Sequence, residues 1–153
     1  MIKLTRLFLL GLILAAFPLF LSAQSNAVID KLLNEDKADW GKTSYMVLSA
    51  AGLISENAAI PEVLTKLEKQ QWKLPSKESE DSITLGEYSQ MMMKAFNIPG
   101  GIMYRILPGP RYAARELDYL KFIDNNKSPY RTLSGEEVLR IMGRVMEWKE
   151  ENL

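Results

Sequence analysis

Two four-residue stretches constrain this chain more than anything else in it. Thr84-Leu85-Gly86-Glu87 and Ser134-Gly135-Glu136-Glu137 have the spacing of a capping box and lie fifty positions apart. In such a box the hydroxyl accepts from the third helical amide while the glutamate reaches back to the cap amide, so both sequences announce a helix start. Apolar residues then recur at three- and four-residue intervals: Tyr88, Met91, Met92, Ala95 and Phe96 after the first box, Val138, Ile141, Met142, Val145 and Met146 after the second. That period is the apolar stripe of a helix packed against a core. No sustained alternation argues for a strand, so the expected fold class is all-α.

The remaining segments fit around these two. A short helix is expected over 26–34, with Val28, Ile29, Leu32 and Leu33 apolar. A second is expected over 38–51, with Trp40, Tyr45, Val47, Leu48 and Ala51 inward and Gly52 as the left-handed residue that ends it. Pro61 suits a first helical turn and predicts a helix to about Trp72. The polar run 76–82 reads as an exposed loop; its three carboxylates lack the order of a calcium-binding EF-hand loop. Met91-Met92-Met93 reads as core with one methionine exposed. Asn97-Ile98-Pro99-Gly100-Gly101 stops the first capped helix. Ile102–Leu107 fits a strand or one helical turn equally well. Further helices are expected over 111–123 and from Ser134 to Trp148.

The N-terminus has the layout of a secretory signal peptide: Lys3 and Arg6, an apolar run Leu7–Leu21, then Ser22, Ala23 and Ser25. The expected division is a signal peptide over 1–25, cut after Ala23 or Ser25, and a helical domain over 26–153, the alternative being an uncleaved N-terminal anchor. With no cysteine, the lipoprotein route and any disulfide or thiolate site are excluded. The predicted location is the periplasm or the exterior, with no stable membrane span after cleavage. The 19 basic residues less Lys3 and Arg6 leave 17 against 19 acidic ones, a net charge of −2. A near-neutral chain without a basic block is a poor nucleic-acid ligand and offers no polybasic patch to anionic membranes.

The helices before the two capped ones also align: Trp40, Ser44, Tyr45, Leu48 and Ala51 with Tyr112, Glu116, Leu117, Leu120 and Ile123. This gives two helical repeat units, about 38–97 and about 110–148, that pack together as one small domain. The order Asp39-Trp40-Gly41, Leu48, Gly52-Leu53-Ile54, then Ile83-Thr84-Leu85-Gly86-Glu87-Tyr88, resembles an S-layer homology domain, and 111–137 is similar to it more loosely. The resemblance implies helical units that bind cell-envelope polysaccharide. The family usually has three units and a Thr-Arg-Ala-Glu motif whose arginine contacts an anionic sugar. Two units are legible here, and the arginine positions hold Leu85 and Gly135.

Catalysis has few candidate groups. There is no histidine, no cysteine and no nucleophile or phosphate-loop motif. The chain is therefore read as a non-enzyme that takes no cofactor and no metal. Glu87 and Glu137 are the carboxylates at matched positions, either as helix caps worth about 1 kcal/mol each or as functional groups. The candidate ligand residues are Trp40, Glu87, Arg111, Tyr112 and Arg115. Trp40 and Tyr112 are either core aromatics or sugar platforms. Arg105, Arg111 and Arg115 either hold an anion or pair with Glu116 and Asp118. Leu139, Met142, Met146 and Trp148 form a candidate surface for a protein partner or an oligomer, unless they cover the helix over 28–33. The expected function is an exported, non-enzymatic binding or scaffolding module of the cell envelope that attaches to polysaccharide or peptidoglycan. The alternative is a protein-interaction or structural subunit of an envelope complex.

Overall fold

The computed structural model describes residues 26–124 and 126–152. The predicted signal peptide lies outside these residues. Among them every regular element is a helix: α1 over 26–33, α2 Trp40–Ala50, α3 Ile60–Lys69, α4 Leu85–Ala95, α5 Ile102–Ile106, α6 Pro110–Tyr119 and α7 Gly135–Glu151. The extended pairing among the described residues is limited to two isolated bridges, Asp39 with Ser82 and Thr84 with Thr132. Ile102–Leu107, open to either reading, is a short helix.

Both predicted capping boxes form. Thr84 Oγ1 accepts from the Glu87 amide at 3.4 Å, and Glu87 Oε2 accepts from the Thr84 amide at 2.8 Å. Ser134 and Glu137 repeat the exchange at 3.2 and 3.1 Å. A third start joins them. Asp39 Oδ1 accepts from the Lys42 amide at 2.6 Å, and the Asp39 amide donates to Glu35 Oε2 at 3.0 Å. Here the carboxylate comes from upstream of the cap, because Lys42 stands where the other two boxes have glutamate.

The three starts are bound to one another through their backbones. The Ala38 amide donates to the Leu133 carbonyl at 2.8 Å, Leu133 to Ile83 at 3.2 Å, and Ile83 back to Ala38 at 3.0 Å, a closed ring. The first free amide of each helix then bonds the neighbouring arm: Trp40 to Asp81, Leu85 to Arg131, Gly135 to Glu35. Gly41 and Gly86 do likewise with Ser79 and Pro129. A helix leaves its first amides without internal partners; these three lend theirs to each other. The predicted alignment of Trp40 with Tyr112 is therefore not the register of the ring, in which Trp40 corresponds to Leu85 and Gly135.

The core lies around α4, which packs most extensively on α6 and also on α2. Tyr88, Met91, Met92 and Met93 are all buried, so none of the three methionines is exposed as predicted. Each such side chain contributes about 1.5–3 kcal/mol of burial. Tyr88 keeps its hydroxyl satisfied by donating to the Val138 carbonyl on α7 at 2.7 Å, and burial raises its pKa. Three helix ends turn the same way. The Leu53, Ile98 and Phe122 amides bond back to Leu48, Met93 and Leu117, with Gly52, Asn97 and Lys121 at positive φ before them.

Candidate functional site

The predicted ligand residues fall into two places. Trp40 and Glu87 belong to the ring, and Arg111, Tyr112 and Arg115 lie along α6. Trp40 is 2% exposed, so it is no free platform for a sugar. The ring needs its amide for Asp81 and its indole fills the core edge. Glu87 serves its capping box and also binds Lys77 Nζ at 2.8 Å. A cation likewise holds the carboxylate in the other two arms, Lys42 on Glu35 and Arg131 on Glu137. Burial works to raise the pKa of Glu137. The Arg131 guanidinium and the Ser134 amide outweigh it and leave that carboxyl below its usual range.

The positions that hold arginine in S-layer homology motifs point inward here. Leu85 is fully buried, and a Cβ on Gly135 would lie 1.6 Å from the Leu32 carbonyl oxygen. The ring leaves no room for a long cation at either place.

Beside the first arm lies a cleft of about 180 Å³, which sequence reasoning missed. The turn between α3 and α4 builds most of it. Gln71 and Lys73 take positive φ there, which swings the chain around Trp72. Trp40 forms part of the floor, and Trp72, Glu68, Gln71, Lys73 and Lys77 reach the walls. The fully buried Gln90 on α4 fixes the wall: its Nε2 donates to the Trp72 carbonyl at 3.0 Å, and its Oε1 accepts from Tyr104 at 3.0 Å. Lys77 Nζ sits 5.6 Å from the centre of the Trp40 ring, close enough for a cation–π contact. Among the described residues no carboxylate lies within ion-pair distance of Lys73. The half-buried Trp72 indole, the Lys73 ammonium, the Gln71 amide and the Glu68 carboxylate line one concave wall that can take a polar ring. The signal for it was Trp72 beside Lys73 just past a helix end, a pattern too common to single out.

Arg111 and Arg115 are exposed, and Tyr112 is half-buried. None of the expected arginine pairs with Glu116 or Asp118 forms: Asp118 takes Lys127 at 2.7 Å, and Arg105 donates to the Gly100 carbonyl at 2.9 Å. The predicted partner surface on α7 is also revised. Met142 is 4% exposed and belongs to the core. Leu139 and Trp148 pack partly against the core, Trp148 edge-on to Phe122 with ring centres 6.1 Å apart. Of the four only Met146 is open to solvent. Among the described residues no cluster of three metal-binding side chains occurs and no helix is long and apolar enough to cross a membrane.

No protein-family model, curated protein or solved structure matches this chain.

Proposed function

We propose that this chain is a non-enzymatic binding module of the cell envelope and that the cleft beside Trp40 takes an anionic saccharide of the wall. The observation that carries the reading is the cleft itself, where Trp72 offers an apolar wall and Lys73, which no carboxylate among the described residues pairs, offers positive charge. The resemblance to S-layer homology domains supports it, since that family usually has three units and three capped helix starts meet in this ring. A binding role rather than a catalytic one is favoured because the carboxylates of all three arms are engaged in caps and ion pairs. Export to the periplasm or beyond belongs to the same proposal and rests on the residues before Asn26.

Sedimentation with purified wall sacculi, and with the polysaccharide released from them, tests the proposal. Retention is expected for the exported protein and is expected to fall roughly tenfold in Trp72→Ala and in Lys73→Glu, with helix content unchanged. Trp40→Ala is unsuitable, because loss of a buried indole costs about 3–5 kcal/mol of stability by itself. Equal retention of the wild type and both variants overturns the saccharide reading. The alternative, an interaction or structural subunit without glycan binding, then stands. It is favoured by the apolar side chains left exposed on α5 and α6.

A further inference from the structure

We propose that the face formed by α5 and the outer side of α6 seats the protein on an anionic lipid surface. α5 is a five-residue helix anchored by one side chain. Tyr104 is buried and bonded to Gln90, while Ile102, Met103 and Ile106 point outward at 75, 49 and 66% exposure. Leu107 and, on α6, Tyr119 extend the same apolar surface at 54 and 79%. Two hollows that share Tyr112 connect these residues, with Arg115 at one end and Arg111 and Lys73 at the other.

Isolated exposed apolar residues are ordinary; a projecting helix that turns three of its five outward is not. Gly100 and Gly101 precede it and Pro108-Gly109-Pro110 follows it, so the patch sits on the short connection between α4 and α6. Its charge is one-sided. From Tyr88 to Arg115 the chain contains Lys94, Arg105, Arg111 and Arg115 and no acidic residue, although the chain as a whole is balanced. The chain has no polybasic block, and the charge of this face comes from Arg105, Arg111 and Arg115, all exposed. Glu116 is the acid of this face, and it is half-buried under the Gly101 backbone.

Apolar tips ringed by guanidinium groups match the boundary of a bilayer, with the isoleucines among the upper acyl carbons and the arginines on phosphates. A second copy is a poorer occupant, because a two-fold contact would set arginines against arginines. The surface is separate from the saccharide reading, with Lys73 alone common to both, and the test leaves Lys73 untouched.

The test is co-sedimentation of the exported protein with vesicles of phosphatidylcholine, alone or mixed with phosphatidylglycerol. Binding is expected only to the mixed vesicles and is expected to weaken as salt is raised. The double variants Ile102→Asp/Ile106→Asp and Arg111→Glu/Arg115→Glu should each reduce it by roughly tenfold or more. Because these side chains are exposed, their circular dichroism and melting should match the wild type. Equal binding to both vesicle types overturns the electrostatic half of the proposal. Absence of binding to either overturns it entirely and leaves the face to a protein partner.

Discussion

Helices α4 and α7 start from the same four-residue code, yet nine of the eleven residues of α4 are buried and five of the seventeen of α7. The box decides where a helix begins; its neighbours decide how much of it disappears from water. α4 has α2 and α6 against it. The amphipathic α7 closes the ring at its first turn and runs out along one side. The same local chemistry therefore makes a central element in one place and a cover in the other.

The sharpest way to break the comparison is at the glycine inside each box, the second residue of the α7 box and the third of the α4 box. In Gly135→Ala the new Cβ meets the Leu32 carbonyl oxygen at 1.6 Å, a backbone atom that cannot step aside. The expected loss is about 3 kcal/mol or more, read as a shift of the urea midpoint. Gly86→Ala meets Pro129 oxygen at 2.9 Å and Pro110 Cβ at 3.0 Å and should cost clearly less. Equal costs would mean that the two arms are equally tight.

Next comes the bond between the two helices. Tyr88→Phe removes the hydroxyl that reaches the Val138 carbonyl and is expected to cost about 1–2 kcal/mol. A loss below a few tenths, measured by chemical unfolding, would show that α4 and α7 are held by packing alone.

A smaller effect separates the arms by pH. The folded pKa of Glu137 lies below its ordinary value near 4.5. Its contribution to stability is therefore complete above that value and disappears as pH falls through the lower, folded one. Glu137→Gln should unfold somewhat earlier than the wild type at pH 7. The gap should close in acid, as melting curves from pH 7 downward would record. A gap that widens toward low pH would reverse the assigned sign.

The smallest expected change is a gain. Lys121 has φ of 65° where α6 turns toward α7, a conformation that suits glycine better than lysine. Lys121→Gly should stabilise the protein by about 0.5 kcal/mol, visible as a slightly higher melting temperature.

Most helices were legible because their signals are local: Thr84 with Glu87, Ser134 with Glu137, and the stripes that follow. The predicted ends were less secure. The helix after Pro61 stops at Lys69 rather than Trp72, and α6 stops at Tyr119 rather than Ile123. The third ring member was hidden. Asp39 lacks a glutamate three places on, and its carboxylate partner, Glu35, lies upstream and meets it only in the folded chain. Tyr112 aligns with Trp40 in sequence because both lead amphipathic helices; periodicity does not say which helices share a centre. α7 carries more apolar residues than one stripe needs, which points Met142 to a surface; in the structure the core takes Met142, and Phe122 meets Trp148 edge-on. The exposed face of α5 has no sequence signature, since a short apolar run broken only by Arg105 looks the same buried or bare.

The ring of Ala38, Ile83 and Leu133 also bears on the order in which the protein comes together. Its three bonds run in one direction around a cycle, so any two arms without the third can make only one of them. The arm that contains Leu133 is the last to be synthesised, and its arrival completes the other two bonds at once. Until then the Ala38 amide and the Ile83 carbonyl have no mate in the ring, and the first turns of α2 and α4 lack part of their support. Such wiring favours a single cooperative step late in folding over a stepwise build from the N-terminus. A chain stopped before residue 129 would keep the α4 packing on α6 and α2 but could form only the Ile83 to Ala38 bond of the ring.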